Sequence, residues 1–242
     1  MKKKFIEAII LAGGKGTRLK TVLDDRPKPM AIIGGKPFIE WLLLLLLQQG
    51  VRRAVICTGY KRKKLESYFG NGNKIGIEID YACDPFPLGT GGAVRNALSL
   101  TTSNRLLILN GDSYFRLDLP SFLNTHHAQN AKATISLVSV ENSCRYGSVK
   151  IKKDGEVEGF FEKSSNRKPG LINAGIYILE RETIGQIPDG KKVSLEKEVF
   201  PGLIGSGLYG EQCSGPFIDI GTPESFSKAE KVLKNEFEYL LK

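Results

Sequence analysis

The residues with most chemical potential lie near the start of the chain, in Ile9-Ile10-Leu11-Ala12-Gly13-Gly14-Lys15-Gly16-Thr17-Arg18-Leu19. An apolar, strand-like run feeds straight into a glycine-rich loop. Glycines let backbone N–H groups come close to a phosphate or a base edge, while Lys, Thr and Arg add donors and charge. The loop matches neither common nucleotide fingerprint. A dinucleotide loop counted from Gly14 needs glycine where Leu19 stands, and a Walker loop ends in Gly-Lys-Ser/Thr where Gly16-Thr17-Arg18 stands. A tight strand-to-helix turn would use the same glycines. Further on, Arg26-Pro27-Lys28-Pro29 fixes the backbone on both sides of Lys28, which would hold its ammonium as a point charge over a phosphate. Each feature alone also suits a rigid loop, but together they bring cations to one strand end.

Two carboxylates stand out as metal ligands. Asp112 follows the apolar run Leu106 to Asn110, at the sheet edge where open α/β folds bind ligands. Asp219 sits between Phe217-Ile218 and Ile220-Gly221, an apolar setting in which a carboxylate needs a partner. Hard oxygen ligands completed by phosphate and water suit Mg²⁺, with a helix cap or a salt bridge as the structural alternative. Pro87 to Gly92 reads as a turn entering a helix, in itself only a helix start with free N–H groups. Glu162 and Asn173 have the chemistry to bind polyol hydroxyls, and Lys163 that to bind a phosphate. His126 and His127 are adjacent, about 100° apart on a helix, and make a poor pair of ligands for one metal.

These segments resemble, in order along nearly the whole chain, the sugar-1-phosphate nucleotidyltransferases. That family opens with LAGGxGTRL followed by PKP. Further matches are Pro87-Leu88-Gly89-Thr90-Gly91-Gly92-Ala93, Leu109-Asn110-Gly111-Asp112-Ser113, Phe161-Glu162-Lys163, Asn173-Ala174-Gly175-Ile176-Tyr177 and Phe217 to Glu224. Within the family, LNGDS, NAGIY, Ser194-Leu195-Glu196-Lys197 and FIDIGTPE are most similar to guanylyltransferases acting on D-glycero-D-manno-heptose 1-phosphate. The resemblance implies transfer of a nucleotidyl group from a nucleoside triphosphate, GTP, to a sugar 1-phosphate, with Mg²⁺ as cofactor. It implies nucleotide contacts at Leu11, Ala12, Gly13, Gly14, Gly16, Thr17, Arg18, Pro87, Gly89, Thr90 and Gly91. Sugar-phosphate contacts fall at Gly111, Glu162, Lys163, Asn173 and Gly175, catalysis at Arg18, Lys28 and Asp112, and metal binding at Asp112 and Asp219. Mannose-specific guanylyl transfer, glucose-specific thymidylyl or uridylyl transfer, and a non-catalytic regulatory relative stay open as alternatives.

The chemistry explains the residue types. Both reactants are anions, and two unit charges about 5 Å apart repel by roughly 3 kcal/mol at an effective dielectric of about 20. A magnesium ion with Arg18, Lys28 and Lys163 would offset several such pairs. The nucleophile is already a phosphate dianion, so no general base is required, which agrees with a chain holding 2 histidines.

The elements that must position these residues follow a mostly parallel α/β rhythm. Strands are expected at Phe5 to Leu11, Ala54 to Thr58, Ile77 to Tyr81 and Leu106 to Asn110. Helices are expected from Pro37, at a first turn, through the leucine run, then at Arg62 to Phe69 and Gly92 to Leu98. The expected fold is a Rossmann-like mixed, mainly parallel sheet flanked by helices. An antiparallel substrate-binding portion would add Ala133 to Val140, Gly147 to Lys152, Glu156 to Phe161 and Ile172 to Leu179. Val193 to Ile204 reads as helical around Pro201. Ser225 to Leu241 forms a helix whose apolar face docks on the core or on a second subunit, making a homodimer plausible. One domain over 1–242 is the economical organisation, with a nucleotide-binding half at 1–115 and a sugar-binding half with the C-terminal helix at 116–242.

Composition sets the remaining bounds. The chain has 242 residues, 41% hydrophobic and 25% charged, with a net charge of +9 that suits phosphorylated ligands or nucleic acid. The basic run Lys61 to Lys64 reads as a solvated helix start, and with no RNA-binding signature or aromatic platform no nucleic-acid partner is expected. Glu7 interrupts the apolar stretch after the first lysines, and Trp41 to Leu47 is too short to span a bilayer, so no membrane partner is expected. Cys57, Cys83, Cys144 and Cys213 form neither a zinc pattern nor a disulfide framework, pointing to the cytoplasm.

Overall fold

A computed structural model describes residues 6–14, 26–59, 61–161 and 168–240, without the side chains of 237, 239 and 240. In chain order the first half gives β1 (Glu7–Leu11), a small hairpin of β2 (Ile32–Ile33) and β3 (Lys36–Pro37), α1 (Phe38–Gln48), β4 (Arg53–Thr58), α2 (Arg62–Phe69), β5 (Glu78–Cys83), α3 (Gly89–Ala97), β6 (Arg105–Asn110) and β7 (Ser113–Phe115). Next come α4 (Leu119–Ala128), β8 (Ala133–Val140), β9 (Ser148–Ile151), β10 (Val157–Phe161), β11 (Gly170–Glu180), α5 (Arg181–Gly185), a π-helical turn (Leu195–Val199), α6 (Phe200–Leu203), β12 (Leu208–Gln212), β13 (Phe217–Asp219) and α7 (Pro223–Leu240).

Seven strands from both halves of the chain form one sheet in the order β12-β8-β11-β6-β1-β4-β5. β1 runs parallel to β4 and β6, and β5 runs parallel to β4. The mixed, mainly parallel sheet is therefore as expected, but the second half is less antiparallel than its turns suggested. Only β11 opposes its neighbours, while β8 and β12 run parallel to each other. Residues Ala133–Val138 are buried without a break, which is how a central strand covered on both faces reads. The other antiparallel pairs are small, β10 on β9 and β13 on β7.

Strand alternation divides the core into two layers. Ala8 and Ile10 of β1 face a layer with α1, α2, α4 and α7; Ile9 faces α3, α5 and α6. α1 is buried on several sides, with Phe38, Ile39, Leu42 and Leu43 inaccessible and Trp41 Nε1 donating to Ile33 O at 3.0 Å. Pro37 precedes this helix in an extended conformation instead of occupying its first turn. α3 starts three residues earlier than expected, at Gly89, and the segment around Pro201 is a π turn followed by α6. α7 docks Ala229 and Leu233 into the chain's own core, one of the two placements expected for its apolar face. His126 is likewise structural, its ring nitrogens 2.7 Å from Thr134 Oγ1 and 3.2 Å from Glu180 Oε1, and burial holds it below the usual histidine range. Among the described residues no helix is long and apolar enough to cross a membrane.

Glu7, the charge that interrupts the first apolar stretch, anchors β1. Its Oε2 accepts the N–H groups of Thr102 and Ser103 at 2.7 and 2.5 Å, and its Oε1 accepts Arg53 Nη1 at 2.6 Å. Burial pushes this carboxyl up, but those donors outweigh it and hold the group below its ordinary range. Its contribution is therefore complete above the unfolded carboxylate pKa of about 4.3 and is lost as pH falls through the lower folded value. Glu7→Gln is expected to lower stability by about 1.5–3 kcal/mol at pH 7 in denaturant melts, with the gap to the parent chain closing in acid.

The start of α3 packs unusually tightly on the segment leading to the π turn. A Cβ on Gly92 would lie 2.4 Å from Lys191 O. Gly→Ala in a helix ordinarily gains about 1 kcal/mol in propensity. Here the contact is with backbone that cannot rotate away, so Gly92→Ala is expected to reverse that sign and lower the melting temperature by at least about 2–4 °C.

Candidate functional site

Two cavities open along the carboxyl ends of β1 and β6, where the sheet order reverses direction and ligands of such folds bind. The first, about 350 Å³, is lined by residues from Leu11 to Asp112, including Gly13, Gly14, Cys57, Asp84, Thr90 and Ala93. The second, about 450 Å³, takes Lys28 and Ser113 from the first half and Arg145, Asn173, Glu196 and Asp219 from the second. Asn110 and Asp112 line both.

That border is set by how β6 leaves the sheet. Gly111 donates its N–H to Leu11 O at 3.0 Å, and a Cβ there would come within 2.6 Å of the same oxygen. Only glycine allows the approach, so Gly111 joins the two strand ends, and it is absent from both linings. Ala12 is also absent from both linings, being buried with its N–H on Cys57 O.

Asp112 meets Lys28 at this border. The two prolines seat Lys28 in a tight 3-10 turn, where Met30 donates its N–H to Pro27 O at 2.8 Å. Lys28 Nζ then donates to Asp112 Oδ2 at 2.6 Å, with the lysine side chain 14% and the aspartate 44% exposed. Asp219 is brought alongside by the β7–β13 pair, which sets it opposite Ser113, and by the Ile220 N–H on Asp112 O at 2.9 Å. The partners that the apolar flanks of Asp219 demand are Gly221 N–H at 2.8 Å, Arg145 Nη2 at 3.3 Å and the Tyr146 hydroxyl. Burial and the neighbouring Asp219 push the Tyr146 hydroxyl well above its ordinary range, so it stays a donor.

The expected nucleotide loop is built differently from the open helix start that its glycines suggested. Gly91 and Gly92 both donate their N–H groups to Val193 O, at 2.9 and 3.2 Å, and Gly91 faces away from the cavity. Pro87, Gly89 and Thr90 do line it. Thr90 Oγ1 donates to Glu196 Oε2 at 2.7 Å and accepts the Leu195 N–H at 2.8 Å. Glu196 Oε1 accepts from the Tyr177 hydroxyl at 3.4 Å, and that hydroxyl accepts from the amides of Asn173 at 2.9 Å and Asn110 at 3.3 Å. Gly175 serves the same turn, its N–H held by Asn173 Oδ1 at 2.8 Å. A continuous chain of side chains thus links the two cavities behind their shared border.

The structure brings together Lys28, Asp112, Asn173 and Asp219 in one cavity, and Leu11, Gly13, Gly14, Pro87, Gly89 and Thr90 in the other. Gly16, Thr17, Arg18, Glu162 and Lys163 lie outside the described residues. Asp84, Asn110, Arg145, Tyr146, Tyr177 and Glu196 were not singled out as site residues in the sequence, although Asn110, Tyr177 and Glu196 lie inside matched motifs.

The comparisons agree with this architecture. A family model described as nucleotidyl transferase matches residues 7–236. The chain is 39% identical to D-glycero-alpha-D-manno-heptose 1-phosphate guanylyltransferase of Aneurinibacillus thermoaerophilus, covering 95% of this chain and 99% of that protein. It is 37% identical to mannose-1-phosphate guanylyltransferase of Mycobacterium tuberculosis, covering 91% of this chain but only 62% of that longer protein. The crystal structure of HddC from Yersinia pseudotuberculosis complexed with GMP-PN superposes with a TM-score of 0.84 at 37% identity, covering 94% of this chain and 99% of that one. With a match from the first strand to the last helix, the chain belongs to the nucleotidyl transferase family.

Proposed function

We propose that this protein joins GTP to D-glycero-α-D-manno-heptose 1-phosphate, giving GDP-heptose and pyrophosphate. The carrying observation is the pair of cavities with a common border at Asn110 and Asp112, which suits two substrates reacting where they meet. The heptose reading rests on a relative matched over 99% of its length. Mannose is the second reading, favoured by the 37% identity to a mannose-specific enzyme.

In this reading a phosphate oxygen of the sugar 1-phosphate attacks the α-phosphorus of GTP, the bond to the bridging β-phosphate oxygen breaks, and pyrophosphate leaves with that electron pair. No proton needs to be removed from the nucleophile. Lys28 and Arg145 supply positive charge to the sugar-phosphate cavity, while Asn173 and Glu196 offer polar atoms to sugar hydroxyls. Arg18 and Lys163 are proposed to hold phosphates, Gly16 and Thr17 to lie along the nucleotide, and Glu162 to contact the sugar. Asp112 and Asp219 are carboxylate oxygen ligands lining one cavity, and among the described residues Asp112 Oδ1 meets the Ser113 hydroxyl at 3.3 Å. This donor set fits Mg²⁺, which would neutralise charge at the α-phosphate when bound. The described residues lining the nucleotide cavity fall between Leu11 and Asp112, consistent with a division of one domain near residue 115. A cytoplasmic setting accords with a nucleoside triphosphate substrate and with four free cysteines.

Pyrophosphate release should be measured for four nucleoside triphosphates against heptose, mannose and glucose 1-phosphates. Turnover confined to GTP with heptose 1-phosphate is the expected result; a preference for UTP or dTTP would refute the reading, and a preference for mannose would favour the second. Asp112→Asn is expected to lower kcat by about 10²–10³-fold with an unchanged melting temperature, and chelation of divalent ions by EDTA to stop turnover reversibly.

A further inference from the structure

Two carboxylates of the sugar-phosphate cavity each hold a cation of the chain itself. Asp112 carries Lys28 Nζ at 2.6 Å, and Asp219 carries Arg145, whose Nη2 lies 3.3 Å from Oδ2 and 3.4 Å from Oδ1. The two contacts differ in kind. A charge-assisted N–H···O bond ordinarily closes to about 2.7–2.9 Å, so Lys28 is fully engaged while Arg145 only rests across its two oxygens. Asp219 has firmer donors as well, the Gly221 N–H on Oδ1 at 2.8 Å and the Tyr146 hydroxyl on Oδ2. Both of these are fixed in place. Gly221 is backbone two residues further on, and the half-buried Tyr146 packs edge-on against the Phe217 ring at 5.8 Å. Of the three donors Arg145 is the one that can leave: its side chain is 41% exposed, against 13% for Asp219, and it belongs to the turn between β8 and β9.

The charges say what would displace it. Lys28 and Arg145 together carry the same two positive charges that a divalent ion brings to Asp112 and Asp219. Such an ion neutralises the carboxylates by itself, and it repels a guanidinium lying on the same oxygens. The opposite order is unfavourable. An arginine that turned to a phosphate without metal would uncover a carboxylate only 13% exposed beside an incoming dianion. The Tyr146 ring, 5.2 Å from the guanidinium carbon, keeps the released group at the site, and its planar fork matches a phosphate. Arg145 lines the sugar-phosphate cavity and is absent from the nucleotide lining, so the phosphate within reach is that of the sugar. We propose that Arg145 is held on Asp219 until a divalent ion occupies that carboxylate, and that it then binds the phosphate of the sugar 1-phosphate. The metal thereby switches on the sugar-phosphate site. The proposal rests on the sugar 1-phosphate reading above and on the ion assigned there to Asp112 and Asp219.

Equilibrium binding on the full chain without GTP, where no turnover occurs, tests this. Affinity for heptose 1-phosphate is measured by calorimetry with and without saturating Mn²⁺, and Mn²⁺ affinity by loss of the free ion's paramagnetic resonance signal. Arg145→Gln is expected to weaken heptose 1-phosphate binding at least about tenfold with Mn²⁺ present and less than about threefold without it. An equal loss in both conditions, or none in either, would overturn the proposal, because an arginine with a merely structural role acts alike in both. The same variant is expected to bind Mn²⁺ alone at least about threefold more tightly than the parent chain, a gain that no misfolded protein gives. Equal or weaker Mn²⁺ affinity would also overturn it. A parent chain that binds Mn²⁺ yet takes up no heptose, mannose or glucose 1-phosphate would refute the substrate reading itself, and the role of Arg145 with it.

Discussion

The site depends on one close backbone contact, the approach of Gly111 to Leu11 O at the ends of β6 and β1. A side chain at 111 would push the two strand ends apart. Without that approach Asn110 and Asp112 could not stand on a common wall between two cavities, and the β7–β13 pair that follows would not carry Asp219 beside them. The parallel pairing of β1 with β6 makes the contact possible because both strands end at the same edge. β11, the one reversed strand, then enters from that edge and delivers Asn173 and Tyr177 to the same place.

A second consequence concerns how the cavities communicate. Thr90 in the nucleotide cavity and Tyr177 in the sugar cavity both bond to the Glu196 carboxylate, one at each oxygen. Tyr177 is buried beside that charge, which with burial keeps its hydroxyl protonated and able to donate. A ligand that shifted Thr90 would leave Glu196 Oε2 held by the Ser194 hydroxyl at 3.0 Å, so the carboxylate would lose one hydrogen bond without that oxygen being stripped of donors. The loop glycines are best understood in the same light. Gly91 and Gly92 pack their backbone on Val193, fastening the loop to the segment that carries Glu196.

Much of this was legible in the sequence, and the parts that were not share a cause. The strand runs at β1, β4, β6 and β8 are apolar and bounded by turns, so their places followed from local pattern. Local conformation set by a few adjacent residues, such as the turn that holds Lys28 between two prolines or the place of Asp112 just past an apolar strand, was equally readable. Less legible is packing that depends on a segment remote in sequence. Gly91 meets a carbonyl 102 positions away, and Gly111 meets one 100 positions away. A glycine needed for close packing and a glycine needed for ligand approach look the same in one dimension. Asp84 and Arg145 escaped notice because nothing beside them in the chain is unusual; only the sheet order and the β7–β13 pair bring them to the cavities.

The net charge of +9 acquires a narrower meaning when set against the sugar-phosphate cavity itself. Among its described lining residues the cations are Lys28 and Arg145, and the carboxylates are Asp112, Glu196 and Asp219. Lys28 is engaged by Asp112 and Arg145 by Asp219, leaving Glu196 unmatched by any cation in the lining. The described lining groups thus sum to a slightly negative charge, despite the surplus of lysine and arginine in the chain. A sugar phosphate dianion and a triphosphate could not meet there on these groups alone, since each like-charge pair at about 5 Å costs roughly 3 kcal/mol. Compensating charge has to come from outside these described lining residues, which is the part the proposed function gives to a divalent ion and to Arg18 and Lys163. The general positive charge of the chain acts at longer range, where it raises the encounter rate with anions and is screened within about 8–10 Å at ordinary salt.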